Sequence, residues 1–272
     1  MLRAFFTALV LAVPIPAMAQ ETARALSDAM MIPEIVAVMR EEGLESGAMI
    51  QDELMGGRGG DRWPQMLERI YDVDRARQEF DEAFAKELEG QDALASEMLA
   101  FMTTEPGRDI VRLEIEARRA LIDDAAEDAA KLRVQEMTEQ SDPRLDVLRQ
   151  FAEVNQLVEM NVAGALNTNL AFYEGLAKSG ALPGLTQEQM LDDVRAQEPT
   201  IRAETEDWLY PYLALAYGPL PDTDLDSYLA FSESEAGQRL NGAVFAAFDQ
   251  VFARISRDVG EAAGMFMQGE DI

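Results

Sequence analysis

The sequence predicts an all-α protein made of two related multi-helix units in tandem. Three observations predict it. Apolar residues recur every three or four positions while no stretch alternates apolar and polar residues between turns, so the period is that of helices. Glycine and proline punctuate the chain at intervals that suit helices joined by loops. Residues 98–107, M-L-A-F-M-T-T-E-P-G, return at 228–237 as Y-L-A-F-S-E-S-E-A-G, and self-similarity at a fixed offset is the mark of a unit built twice. Beyond the motif, apolar character persists at the same offset: Ile110 falls opposite Leu240, Ala117 opposite Ala247, Leu121 opposite Val251 and Ile122 opposite Phe252, with Phe80 opposite Tyr210 upstream. Earlier still, Gly56 and Met66-Leu67 align better with Gly180 and Met190-Leu191 at a shorter offset, which requires an insertion in the second copy.

The elements follow in chain order. Met-Leu-Arg, an apolar run from Ala4 to Val13, Pro14, Pro16 and the A-x-A sequence Ala17-Met18-Ala19 make a leader that predicts cleavage between Ala19 and Gln20. The expected destination is the periplasm or the exterior. Residues 20–140 form the first predicted unit and residues 141–272 the second, with the boundary at Glu139 to Pro143. In the first unit Gly43, the glycines between 56 and 60, and Gly90 are expected breaks; in the second, Gly180, Pro183-Gly184 and Gly218 to Pro221. One stripe runs Ile110, Leu113, Ala117, Leu121, Ala125, Ala129 and Leu132. Another starts at the cap Ser141-Asp142-Pro143 and runs from Leu145 to Leu176 as one long helix or two nearly continuous ones. The last is Leu240, Val244, Ala247, Val251, Ile255 and Val259. Pro211 predicts a kink or a fresh helix start.

The repeated motif reads as a helix corner. A short helix ends near Phe101 or Phe231, polar residues turn the chain, and Gly107 or Gly237 sits in the first turn of the next helix, where a neighbouring backbone can approach. Phe101 and Phe231 are expected to fill the corners, and Glu105 and Glu235 to favour the positive ends of the helix dipoles. This motif, F-x-x-x-E-x-G with apolar residues before it and a long helix after, resembles the core signature of a bacterial exported helical family, domain of unknown function 2059. In that family the stretch is similar to A-F-Y-x-S-P-x-G-Q-K. Ala230, Phe231, Ser234, Gly237, Gln238 and Arg239 match in the second copy, and Ala100, Phe101, Pro106, Gly107 and Arg108 in the first; both copies lack the tyrosine after phenylalanine. The resemblance covers roughly residues 70–130 and 200–260 and implies an exported all-helical protein with no assigned activity and no catalytic residues to carry over.

Composition excludes several function classes. Fifty-one acids against 23 Lys plus Arg, a net charge of −28, repel nucleic acid and anionic lipid. With 48% apolar residues the chain can still bury a core, and no apolar run after the leader is long enough to span a membrane. Neither histidine nor cysteine is present, which removes Ser-His-Asp and Cys-His catalysis and thiol chemistry. No Walker A or G-x-G-x-x-G sequence occurs. Asp123, Asp124, Glu127 and Asp128 place two acid pairs at i,i+4, read as a solvated face with a hard-cation site as the alternative. Asp222, Asp224, Asp226 and Glu233 mimic a calcium loop, but Ser227 stands where the turn needs glycine, so a capped helix start is expected. The 15 methionines, Met30, Met31, Met39, Met49 and Met55 among them, read as adaptable core filler, with a copper site at Met265 and Met267 the alternative. No cofactor is expected. The function expected is a binding or scaffolding module for a protein or peptide partner; a carboxylate-dependent enzyme on envelope polymers and an ion carrier are the alternatives.

Overall fold

The structure, a computed structural model, describes residues 15–269, with side chains from residue 20 onward; Met1 to Pro14, on which most of the expected leader falls, lie outside the described residues. Among the described residues the protein is all-α, without a strand, and no helix is long and apolar enough to cross a membrane. The helices are α1 (Ile15–Ala29), α2 (Ile32–Glu53), α3 (Arg62–Ile70), α4 (Val73–Glu87), α5 (Asp92–Met102), α6 (Glu105–Ala120), α7 (Asp124–Glu139), α8 (Pro143–Val154), α9 (Leu157–Lys178), α10 (Gln187–Ala196), α11 (Glu198–Tyr217), α12 (Asp222–Glu233) and α13 (Glu235–Met267).

The same order of elements occurs twice. Helices α2, α3 and α4 start 125 positions before α9, α10 and α11, while α5 and α6 start 130 positions before α12 and α13. The difference is absorbed where α11 has 20 residues and α4 has 15. Even an unusual backbone recurs: Met31 and Gln156, the residues before α2 and α9, both adopt the left-handed conformation, at φ 53° and 50°. A side-chain-bearing residue adopts that conformation at a cost of about 1–2 kcal/mol. Packing is reciprocal, since α13 lies on α4 and α11 lies on α6 and α7, so the last helices of each half cover the fourth helix of the other.

The two corners are built from matching bonds. Thr104 Oγ1 accepts from Gly107 N at 3.1 Å and donates to the Phe101 carbonyl at 2.6 Å. Ser234 Oγ does the same with Gly237 N and the Phe231 carbonyl at 3.1 and 2.6 Å. A Cβ on Gly107 would lie 2.3 Å from the Phe101 carbonyl oxygen, and one on Gly237 would lie 2.1 Å from that of Phe231. Glycine is therefore required by a close approach of backbone to backbone. Glu105 and Glu235 are exposed at the first positions of their helices. The phenylalanines differ from expectation: both are half-buried and stack on each other across the two halves instead of filling separate corners.

Other elements depart from the sequence reading one by one. The stripe from Ile110 to Leu132 is two helices, because Asp123 caps α7 by accepting from Ala125 N and Ala126 N; its counterpart Ala253 has no such oxygen, and α13 runs on. Leu132, at 61% exposure, faces solvent, as does Met49 at 55%, whereas Met30, Met39 and Met55 are core. Gly43 breaks nothing: it is buried inside α2, where the Tyr71 ring occupies the space a Cβ would take. Helix α11 continues through buried Pro211 without a new start. The 143–178 stretch takes the second of its two expected forms, two nearly continuous helices that meet at Asn155-Gln156.

Helix α13 is the axis of the fold. Its stripe Leu240, Ala243, Ala247, Val251, Ile255 and Val259 is buried throughout. It meets α9 at backbone distance, since a Cβ on Gly175 would lie 2.1 Å from the Arg257 carbonyl oxygen and one on Gly260 would lie 2.3 Å from that of Phe172. Near one end the two backbones touch, whereas the residues around Gly164 and Gly242 stand apart and border an internal space.

Candidate functional site

That space is a cavity of about 740 Å³ walled by α2, α6, α9, α11, α12 and α13. Its lining is predominantly apolar, with Ile35 and Met39 from α2, Val111 from α6, Leu213 from α11, and Leu240 and Phe248 from α13. It reaches the surface beside α9, where Ala163 and Asn167 are exposed. At this opening Asn167 Nδ2 donates to Asp249 Oδ1 at 3.1 Å, tying α9 to α13. A cavity of this size with few convergent polar groups has the form of a small-molecule site.

The polar end is built on α6. Its buried residues Ile110, Val111, Ile115 and Ala117 fix the helix against the core, and that placement aims Glu114 at the cavity. Glu114 Oε1 accepts from the Tyr217 hydroxyl at 2.5 Å and the Tyr228 hydroxyl at 3.2 Å. The Tyr212 hydroxyl lies 3.4 Å from the Glu114 carbonyl oxygen. Phe151 closes the cluster, with its ring 4.8 Å from Tyr228 and 5.4 Å from Tyr217. Burial raises the Glu114 carboxyl above its ordinary value, and the two phenol hydrogen bonds only partly counter it. Burial, then the Glu114 charge, raise all three tyrosines, so the phenols stay protonated and remain donors. Glu114, Tyr212 and Tyr228 keep part of their surface free because they face the cavity, although protein encloses the cluster.

Arg118, one turn further along α6, also lines the cavity. Its guanidinium makes a two-pronged bond to Glu42 of α2, both contacts at 2.8 Å. Burial opposes its charge and the Glu42 bonds restore it, leaving the guanidinium firmly protonated. Arg118 is thus already neutralised by an acid outside the cavity lining.

The second half supplies an internal comparison. At the 130-residue offset Glu114 corresponds to Val244 and Arg118 to Phe248. There α13 meets α4 through apolar contacts, with Phe248 and Phe80 at 4.6 Å and Phe80 stacked on Phe84 at 5.4 Å. At this level the contact is aromatic in one place and a carboxylate with phenols in the other, although α13 and α4 also share the ion pair of Arg254 with Glu79 at 2.8 Å.

Of the residues singled out from sequence, Phe231 and Gly237 line the cavity, and Phe101 reaches its edge by stacking on Phe231. Glu105 and Glu235 are on the surface, apart from it. Sequence reasoning missed Glu114 and its tyrosines. The sign of Glu114 was nonetheless present: it stands four residues after Ile110, on the apolar face of the stripe and opposite a valine in the second copy. The other acid clusters have structural partners. Asp123 is a cap, Glu127 pairs with Lys131 at 2.8 Å, and Asp222 begins α12 outright, bonded to Arg144. No side chain caps α12, so the expected Asp cap is replaced by Pro221. Among the described residues no three His, Cys, Asp or Glu side chains converge as a metal site. Comparison with known family models, curated proteins and solved structures finds no match.

Proposed function

We propose that this protein is an exported binding protein that encloses one small amphipathic molecule between its two halves. The observation that carries this reading is the 740 Å³ apolar cavity with a single carboxylate cluster at one end. It favours a small ligand over the protein or peptide partner of the sequence reading, because the apolar surface is concave and gathered around the Glu114 cluster, although it opens to solvent beside α9. Duplication of one helical unit and kinship with the exported helical family belong to the same proposal, supported by the matching corners and the recurrent left-handed residues before α2 and α9. An enzymatic alternative would have to use Glu114 and Asp249, the carboxylates on the cavity wall, and Asp249 is engaged by Asn167.

The test is binding of the neutral fluorophore N-phenyl-1-naphthylamine, followed by its emission gain. Gly242 lines the cavity and a Cβ there meets nothing within 4 Å, so Gly242→Trp adds bulk to the open space. Saturable binding by the native chain and its loss in Gly242→Trp are expected; equal emission in both proteins counts against the cavity.

A further inference from the structure

We propose that the ligand is a cationic amphiphile, an alkyl or aryl amine whose ammonium group sits against Glu114 beside the aromatic side chains Tyr212, Tyr228 and Trp208 while its apolar part lies along α13. This rests on the cavity reading above and specifies its ligand class.

Four observations lead to it. Among the described residues the carboxylate of Glu114 has no cationic partner: both hydrogen bonds to it come from neutral phenols, and both go to Oε1. Oε2 is left facing the cavity without a protein donor among the described residues. A carboxylate in a low-dielectric site is costly until a positive charge is supplied. Arg118 does not supply it, because Glu42 holds its guanidinium with two bonds of 2.8 Å. The charge facing the cavity is therefore negative on balance. Beside it, Trp208 and Tyr212 stack at 4.8 Å and both line the cavity, as does Tyr228, whose ring packs against Phe151 and Phe101. Aromatic faces and a carboxylate together are the surroundings that stabilise a desolvated ammonium. Finally, Val244, at the 130-residue offset from Glu114, also lines the cavity, so α13 presents an apolar wall where α6 presents a carboxylate, as an amphiphile needs.

Alternatives differ in charge. A fatty acid would set a second carboxylate against Glu114, and a fatty alcohol could donate to Oε2 but would leave the charge uncompensated. The experiment is displacement of N-phenyl-1-naphthylamine from the full-length exported protein by dodecylamine, dodecanol and dodecanoate, each below its aggregation concentration at neutral pH. Dodecylamine should displace the dye at about ten- to a hundredfold lower concentration than the other two, the range for a charge-assisted hydrogen bond. Glu114→Gln should remove that advantage. Since this substitution hardly alters the net charge of −28, adsorption of the amine to the acidic surface would persist in the variant, and a persistent advantage would overturn the proposal. So would a native protein that takes dodecanol or dodecanoate as well as the amine, a result that needs no variant and leaves the cavity reading intact. Failure of the dye itself to bind would overturn both.

Discussion

Phe101 and Phe231, 130 residues apart and equivalent in the repeated motif, stack on each other with ring centroids 4.1 Å apart and planes within 1°. Equivalent residues in mutual contact place a local two-fold relation between the corners, so each ring is the floor of the other's site. Their energies must then be coupled. Truncating either to alanine should cost similar amounts, up to the ~3–5 kcal/mol of a core phenylalanine. The double variant should cost less than the two together, by about the 0.5–1.5 kcal/mol that an aromatic pair adds. Urea unfolding of the two single variants and the double variant measures this, and strict additivity would argue that the stack carries no energy.

Three glycines in helices should respond differently to alanine. Gly107→Ala and Gly237→Ala drive a Cβ to within 2.3 and 2.1 Å of a carbonyl oxygen, where no flexible side chain can yield. Both should destabilise by about 1–3 kcal/mol. In Gly242→Ala the new methyl meets nothing within 4 Å, so helix propensity prevails and stability should rise by about 0.5–1 kcal/mol. Thermal melts of the three variants suffice, and a common sign would contradict the close-approach account of the corners.

The pH dependence of stability should carry a contribution from Glu114. Its folded value lies above the ordinary 4.5, because of burial, while the unfolded chain keeps the ordinary value. The folded state therefore binds an extra proton in the window above 4.5, and Glu114's contribution is complete below that pH and lost as pH rises through the raised value. Tyr212, Tyr217 and Tyr228, which face it from α11 and α12, are raised and do not titrate in this window, and Arg118 stays charged. Relative to Glu114→Gln, the unliganded native protein should lose stability from mildly acid to neutral pH. A difference that stays constant from about pH 4 to 8 would show that the carboxyl is not perturbed. Amine binding should follow the opposite course, strengthening as Glu114 ionises.

The exported form should begin at Gln20. Helix α1 runs from Ile15 across that point, and cleavage there would leave its buried residues Ala23, Leu26 and Ser27 in place. The intact mass of protein extracted from the cell envelope decides the matter, and a chain that retains Met1 would remove the basis for export.

What the sequence determined by itself is whatever depends on local period and local backbone demand. The stripe from Leu240 to Val259 had to be a buried helix face, Asp142-Pro143 had to open a helix, and Gly107 and Gly237 had to allow a close approach inside a turn. Less was legible where one local pattern suits two structures. Gly43 has the composition of a break, yet it sits inside a helix because the ring of Tyr71, 28 residues away, needs its space. Asp123 ends a stripe that apolar spacing alone would continue. Only the tertiary structure decided the rest. It stacked Phe101 on Phe231 and brought Tyr217 and Tyr228 to Glu114 across 103 and 114 residues. Those meetings follow from how α11 lies on α6 and α13 on α4, and a crossing of distant helices is set by the summed packing of both faces, which no local window contains. The cavity is the same kind of product: α9 and α13 touch at Gly175 and Gly260 and stand apart near Gly164 and Gly242, and the space between them belongs to neither sequence alone.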